Sequence, residues 1–218
     1  MRHLLAPAWL AAALGCAGCA GRCGALGGLP PAKPPLVNTA EGPRYVVTRG
    51  PYKAYYDAQG RLQRLEKDAD GDGHPEQIAH HDGQRIPRRV EVDANSDGRI
   101  DRWETYDADG VLTTVGTARR GGAADAWVTL GPDGQERERA YDDDGDGRVD
   151  RRETLAGGVV VAVELDSDHN GAIDRWQTMG GGRLLEEQLD TDGDGRPDRR
   201  LRYGAQGQLL GLETVAAR

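Results

Sequence analysis

The sequence predicts an all-β chain, an elongated array of antiparallel hairpin repeats of 24–25 residues that spans residues 44–218 and is joined by acidic loops. Three observations lead there. An Asp/Asn/Gly signature returns at fixed spacing, the stretches around it alternate apolar and polar residues with period two, and Gly-containing turns fall between the acidic segments. Only 37% of the chain is hydrophobic and Phe is absent, which is too little for one large core. The net charge of −8 gathers after residue 67, and that sign disfavours nucleic acid and favours cations.

The N-terminus reads as an address. Met1-Arg2-His3 is a basic start, and Leu4 to Gly15 is apolar but shorter than the roughly 18 residues of a membrane span. Ala13-Leu14-Gly15-Cys16 resembles a bacterial lipobox. That resemblance implies a lipoprotein signal peptide over 1–15, lipidation at Cys16 and anchoring to a membrane of the cell envelope. Ala17, where an Asp would favour the inner membrane, leans the expectation to the outer one. Cys19 is an alternative lipidation site, and an ordinary secretory signal is the plainer reading. Residues 16–43, rich in Ala, Gly and Pro, read as a tether. All three cysteines lie here, so no disulfide framework holds the rest.

Five segments fit D-x-[DN]-x-[DN]-G-x-x-[DE], with starts at 68, 93, 142, 166 and 190. Positions one, three and five are Asp68, Asp70, Asp72; Asp93, Asn95, Asp97; Asp142, Asp144, Asp146; Asp166, Asp168, Asn170; and Asp190, Asp192, Asp194. Position six is always Gly, which permits the tight curl that turns alternate side chains onto one point. Position seven offers a backbone carbonyl whatever its side chain: His74, Arg99, Arg148, Ala172 and Arg196. Position nine is Glu76, Asp101, Asp150, Asp174 or Asp198. Hard oxygen donors in this number and order suit Ca²⁺, with up to five ions; Mg²⁺ keeps more of its water. Turns alone need one or two such residues, not a complete set five times over. The gap of 49 between starts 93 and 142 hides a sixth unit, with Gly122 and Asp125 in place but Thr117, Arg119 and Gly121 at the ligand positions, so that Arg119 stands where an ion would.

These loops resemble those of EF-hands and of thrombospondin type 3 and dockerin repeats. The resemblance implies a twelfth-position carboxylate, present as Glu104 and Glu153 and replaced by Ala79, Gln177 and Leu201 elsewhere. EF-hand loops sit between helices, whereas Val90-Glu91-Val92, Glu136-Arg137-Glu138-Arg139 and Val159–Val163 before the loops, and Arg102–Tyr106 and Arg175–Met179 after them, read as strands. Turns are expected at 107–110, 131–134, 180–182 and 204–207, and Tyr56-Asp57-Ala58-Gln59-Gly60-Arg61-Leu62 is similar to the YD turn of RHS-type repeats. Trp103, Trp127 and Trp176 are expected to pack as a stripe between units, the arginines at positions seven, ten and eleven to balance loop charge, and His80-His81 to lie in a solvated loop.

The expected function is a calcium-stabilised, membrane-tethered envelope lipoprotein acting as a spacer or scaffold, with an envelope protein or glycan as partner. An envelope hydrolase using carboxylates has no unassigned acid pair or nucleophile to support it, so no enzyme is expected. A calcium sensor would want helix pairs and a Met-rich face, and the chain has two Met.

Overall fold

The computed structural model describes residues 36–39 and 42–215; the signal, Cys16, Cys19 and most of the tether lie outside the described residues. All sixteen described strands belong to one sheet, in sequence order, with every neighbouring pair antiparallel. They are β1 (Leu36–Thr39), β2 (Gly42–Arg49), β3 (Tyr52–Tyr56), β4 (Leu62–Lys67), β5 (Gln77–His80), β6 (Arg89–Val92), β7 (Arg102–Tyr106) and β8 (Leu112–Thr117). The second half comprises β9 (Ala126–Leu130), β10 (Glu136–Tyr141), β11 (Arg151–Ala156), β12 (Val159–Leu165), β13 (Arg175–Gly180), β14 (Arg183–Leu189), β15 (Arg199–Tyr203) and β16 (Leu209–Thr214). The sheet thus starts before residue 44, with β1 and the first residues of β2 in the stretch expected to be tether.

Among the described residues each strand touches only its neighbours in the chain, so the array is open and has no second layer. The meander sorts its connections by type. From β3 onward the acidic loops join strands at one edge and the short turns join them at the other. Turn glycines such as Gly60 and Gly110 have φ of 80° and 81°, which a Cβ would strain. The pairing slips by one residue beside these turns, as between Thr105 and Tyr106, so the extra residue is taken up before the strands enter the next loop.

Register sorts the faces. One cross-strand row runs Leu65, Ala79, Val90, Glu104. Leu65, Ala79 and Val90 in it, together with Tyr106, form the buried cluster, with Tyr52, Ala54, Val92 and Leu112 against it. Further along, the same row becomes Val115, Val128, Arg139 and Glu153, and no comparable cluster forms among the described residues of the C-terminal half. Leu209, Leu210 and Leu212 in the last strand are each more than half exposed. The opposite face carries Glu91, Trp103, Gly116, Trp127 and Ala140 in one row, with Thr105, Thr114 and Thr129 in the next. Trp and Thr share a face as expected. Trp103 and Trp127 flank Gly116 in one row, with the Trp127 ring against Gly116 of the preceding unit, and Trp176 lies further along the same row between Glu164 and Gln188.

His81 departs from its expected solvated setting. It is 3% exposed, in a connection that also buries Pro87, and neither ring nitrogen has a hydrogen-bond partner. The connection from β5 to β6 folds back, with Ile86 against Gly110 and the Tyr106 amide donating to the Arg88 carbonyl. Burial lowers the imidazole's pKa below its ordinary value of 6.5, against smaller raising effects from the backbone of Gln84 and Arg85. The unfolded chain therefore takes up a proton that the folded chain refuses. Stability is complete above about pH 6.5 and falls as pH drops through the lowered value. We expect His81→Leu to remove this acid sensitivity in urea melts run from pH 7.5 to 5; an unchanged pH profile would show that His81 does not cause it.

Candidate metal-binding edge

Each intact loop is nine residues long and bridges one antiparallel pair. The residue before position one faces the residue after position nine: Lys67 and Gln77, Val92 and Arg102, Tyr141 and Arg151, Leu165 and Arg175, Leu189 and Arg199. Two residues per loop take the left-handed conformation. In loop three they are Gly145 and Gly147, both at φ 90°. Position four is left-handed even where it is Ser96 or His169.

The carboxylates first organise the backbone. The position-one carboxylate accepts from the amide of the position-six glycine: Asp68 from Gly73 at 3.1 Å, Asp93 from Gly98 at 2.7 Å, Asp142 from Gly147 at 2.9 Å, Asp166 from Gly171 at 2.7 Å and Asp190 from Gly195 at 2.7 Å. Its second oxygen accepts from position four or five. Position three bonds the amide of position five in four loops, through Asp70, Asn95, Asp144 and Asp192. Position five bonds the amide of position seven in all five: Asp72 to His74, Asp97 to Arg99, Asp146 to Arg148, Asn170 to Ala172 and Asp194 to Arg196. Position nine closes the loop onto the amide of position two, through Glu76, Asp101, Asp150, Asp174 and Asp198. Each hydrogen bond fixes one oxygen and leaves lone pairs free, and a cation would take those.

Ligand atoms converge in three loops. Asp68, Asp70 and Glu76 in loop one, Asp142, Asp144 and Asp146 in loop three, and Asp190, Asp192 and Asp194 in loop five each place three oxygens within 4.8 Å of one another. Three carboxylates so close repel unless a cation joins them, and a hard divalent ion is the species this donor set fits. Loops two and four keep the bonds made by positions one, five and nine, but each has an Asn among positions one, three and five, and their acids Asp93, Asp97, Asp101 and Asp166, Asp168, Asp174 form no such triplet among the described residues. The Asp190 carboxyl is held below its ordinary pKa: burial raises it, and the amides of Gly193 and Gly195 outweigh that.

Glu104 and Glu153 are not at the loops. They lie within β7 and β11, where Glu104 pairs with Arg102 at 2.7 Å and with the Tyr106 hydroxyl, and Glu153 pairs with Arg151 at 2.6 Å. The reason is the rise per residue. A helix after the loop would bring position twelve back over the ion, but a strand carries it about 10 Å beyond position nine. The arginines beyond the loops likewise pair mainly with strand glutamates, Arg152 with Glu138 and Glu164 and Arg200 with Glu186, although Arg151 also reaches Asp143 at 3.2 Å and Arg199 approaches Asp198 at 3.9 Å.

The sixth unit is one residue shorter than the spacing suggested. Thr117 ends β8 and pairs with Ala126, so the loop is Ala118–Asp125, eight residues long. Arg119 then stands at position two, where its amide donates to Asp125 at 2.9 Å as position two does elsewhere. Arg120, not singled out from the sequence, takes position three. Both guanidinium groups close on the buried Asp125, at 3.1 and 3.0 Å. Both also reach the next loop: Arg119 bonds the Asp142 carbonyl at 3.2 Å, and Arg120 bonds the Asp142 carbonyl and, at 2.7 Å, that of Asp143. Two fixed cations occupy this loop. Burial raises the Asp125 pKa, but the Arg119 amide and both guanidinium groups outweigh it and bring it down to about 2.

Successive loops are tied into a row. The position-one amide of each donates to the position-nine carbonyl of the loop before: Asp93 to Glu76, Ala118 to Asp101, Asp142 to Asp125, Asp166 to Asp150 and Asp190 to Asp174, at 2.7–3.1 Å. With two strands per loop, neighbouring sites lie about 10 Å apart along the edge.

The EF-hand family model matches residues 139–156, which contain the end of β10, loop three and β11. No curated protein matches the chain. Among solved structures, the GtfA/B complex bound to UDP and GlcNAc is similar at 13% identity and TM-score 0.31, over 66% of this chain and 23% of that one. A point mutant of S. aureus TarM, in complex with fondaparinux, alpha-GlcNAc-glycerol and UDP, is similar at 8% identity and TM-score 0.17, over 65% and 21%. The chain spans about a quarter or less of those proteins, and likeness at this level carries no argument about activity. The family match and the acidic triplets fit a calcium-binding repeat.

Proposed function

We propose that this chain is a calcium-stapled β-array, exported and lipid-anchored through Cys16 at the bacterial envelope, where it serves as a non-catalytic spacer or scaffold. The supporting observation is the repetition itself: five nine-residue loops at one edge carry the same carboxylate-to-amide hydrogen bonds, and three of them gather a triplet of carboxylates. The thin C-terminal half adds to it, because three consecutive acidic loops stand where the sheet has least apolar burial.

If free Ca²⁺ is tenfold above Kd, each site adds about 1.4 kcal/mol, and five independent sites about 7 kcal/mol. For a folded region of this size that corresponds to roughly 15–25 °C in melting temperature. The test is a circular-dichroism melt of the protein in EDTA, then in millimolar Ca²⁺ or Mg²⁺. We expect a gain of that order with Ca²⁺ and little with Mg²⁺. A cooperative melt that neither ion moves would mean that the loops are turns.

A further inference from the structure

We propose that loop three, together with His169 of loop four, forms a mixed nitrogen–oxygen site for a borderline divalent transition cation of the Mn²⁺, Co²⁺ or Zn²⁺ type, distinct from the all-oxygen sites at loops one and five. The inference rests on the reading of loop three as a cation site.

Position four is Gly71, Ser96, Gly145 or Gly193 in the other intact loops, and His only at 169. The backbone tie between loops three and four, from the Asp166 amide to the Asp150 carbonyl at 2.7 Å, brings this imidazole back over the preceding loop. There His169 Nδ1 lies 3.0 Å from Asp150 Oδ1. Asp144, Asp150 and His169 each offer one ligand atom, all within 4.8 Å of one another. Asp150 is 4% exposed, so this carboxylate is an anchored donor rather than a solvated surface group. The EF-hand family match covers residues 139–156, which include Asp144 and Asp150 but not His169. Asp144 also belongs to the triplet with Asp142 and Asp146, so the imidazole joins an existing donor set from its side.

The donor chemistry separates this site from its neighbours. Ca²⁺ and Mg²⁺ are held by oxygen, whereas an imidazole nitrogen favours first-row transition ions. The 3.0 Å contact is an ion pair between His169 and Asp150, and a divalent cation would displace its proton and take both donors. Two carboxylates and one imidazole leave further positions for water.

The test is titration of the tag-free full chain with Co²⁺, read by its visible absorption, alongside a calorimetric Ca²⁺ titration, for the wild type and for His169→Gly. Glycine is the residue at the same place in three other loops, so the variant keeps the backbone conformation. We expect one Co²⁺ per chain with nitrogen-type absorption, weakened about tenfold or more in the variant, and Ca²⁺ binding at loops one and five unchanged. Equal Co²⁺ affinity in both proteins would overturn the proposal while leaving the calcium reading intact. A wild type that binds Co²⁺ through His169 but no Ca²⁺ would support this site and remove the calcium reading.

Discussion

Replacing Asp142 by Asn should abolish cation binding at loop three at a modest cost to the metal-free protein, whereas replacing it by Ala should destabilise the protein strongly with or without metal. Asp142 is 4% exposed and accepts from the amides of Gly145 and Gly147. Asn keeps an acceptor oxygen for one of these amides, turns its NH2 towards the other, and removes one of three mutually repelling charges, so relief of repulsion offsets part of the lost hydrogen bond. Ala removes both acceptors and leaves amides without partners at the start of the loop, at about 1–3 kcal/mol each if they stay dry. Chemical denaturation in EDTA and in Ca²⁺ separates the two roles. We expect Asn below wild type by no more than about 1 kcal/mol in EDTA and by clearly more in Ca²⁺, with Ala below by about 2–4 kcal/mol in both. Were Asn and Ala to behave alike, the carboxylate would have no metal-specific role.

The arginine loop makes the opposite case, a staple that needs no ion. Substituting Arg119 and Arg120 together by Gln removes both cations from the buried Asp125 and cuts the guanidinium links to the Asp142 and Asp143 carbonyls. Breaking an ion pair around one buried charge costs about 3–5 kcal/mol when fully enclosed; with both arginines partly exposed, about 2–4 kcal/mol is expected. Acid behaviour should move as well. Asp125 folded titrates at about 2, below its ordinary value of 3.8, so it contributes stability that is complete above about pH 4 and lost as pH falls towards 2. Without the guanidinium groups burial dominates, the folded pKa rises, and acid unfolding should begin at higher pH. Wild-type stability and acid midpoint in the double variant would refute the staple.

Much of this was legible in the chain. Glycine spacing, period-two alternation and the 24–25-residue repeat give the strands, the turns and the acidic loops between them, because each depends on residues within a few places of one another. What was not legible depends on neighbours across the sheet. Arg120 and His169 act on the loop after or before their own, and only the interloop ladder shows that these side chains reach that far. The one-residue deletion in the sixth unit is silent in sequence, since Thr117 and Ala118 are equally plausible first positions until the pairing of Thr117 with Ala126 is seen. Glu104 and Glu153 read as ligands by analogy with a loop that leads into a helix, and a strand takes them elsewhere. His81 reads as solvated because nothing local marks the connection from β5 to β6 as one that folds back and buries its residues.

The most direct measurement is the number of Ca²⁺ ions bound per chain, by calorimetric titration of the metal-free protein. Saturable binding of three to five ions, falling by one in Asp142→Asn and unaffected by substitution of Glu104, is the expected result. No saturable binding at millimolar Ca²⁺ would contradict it, and the acidic edge would then be a row of turns held by hydrogen bonds alone.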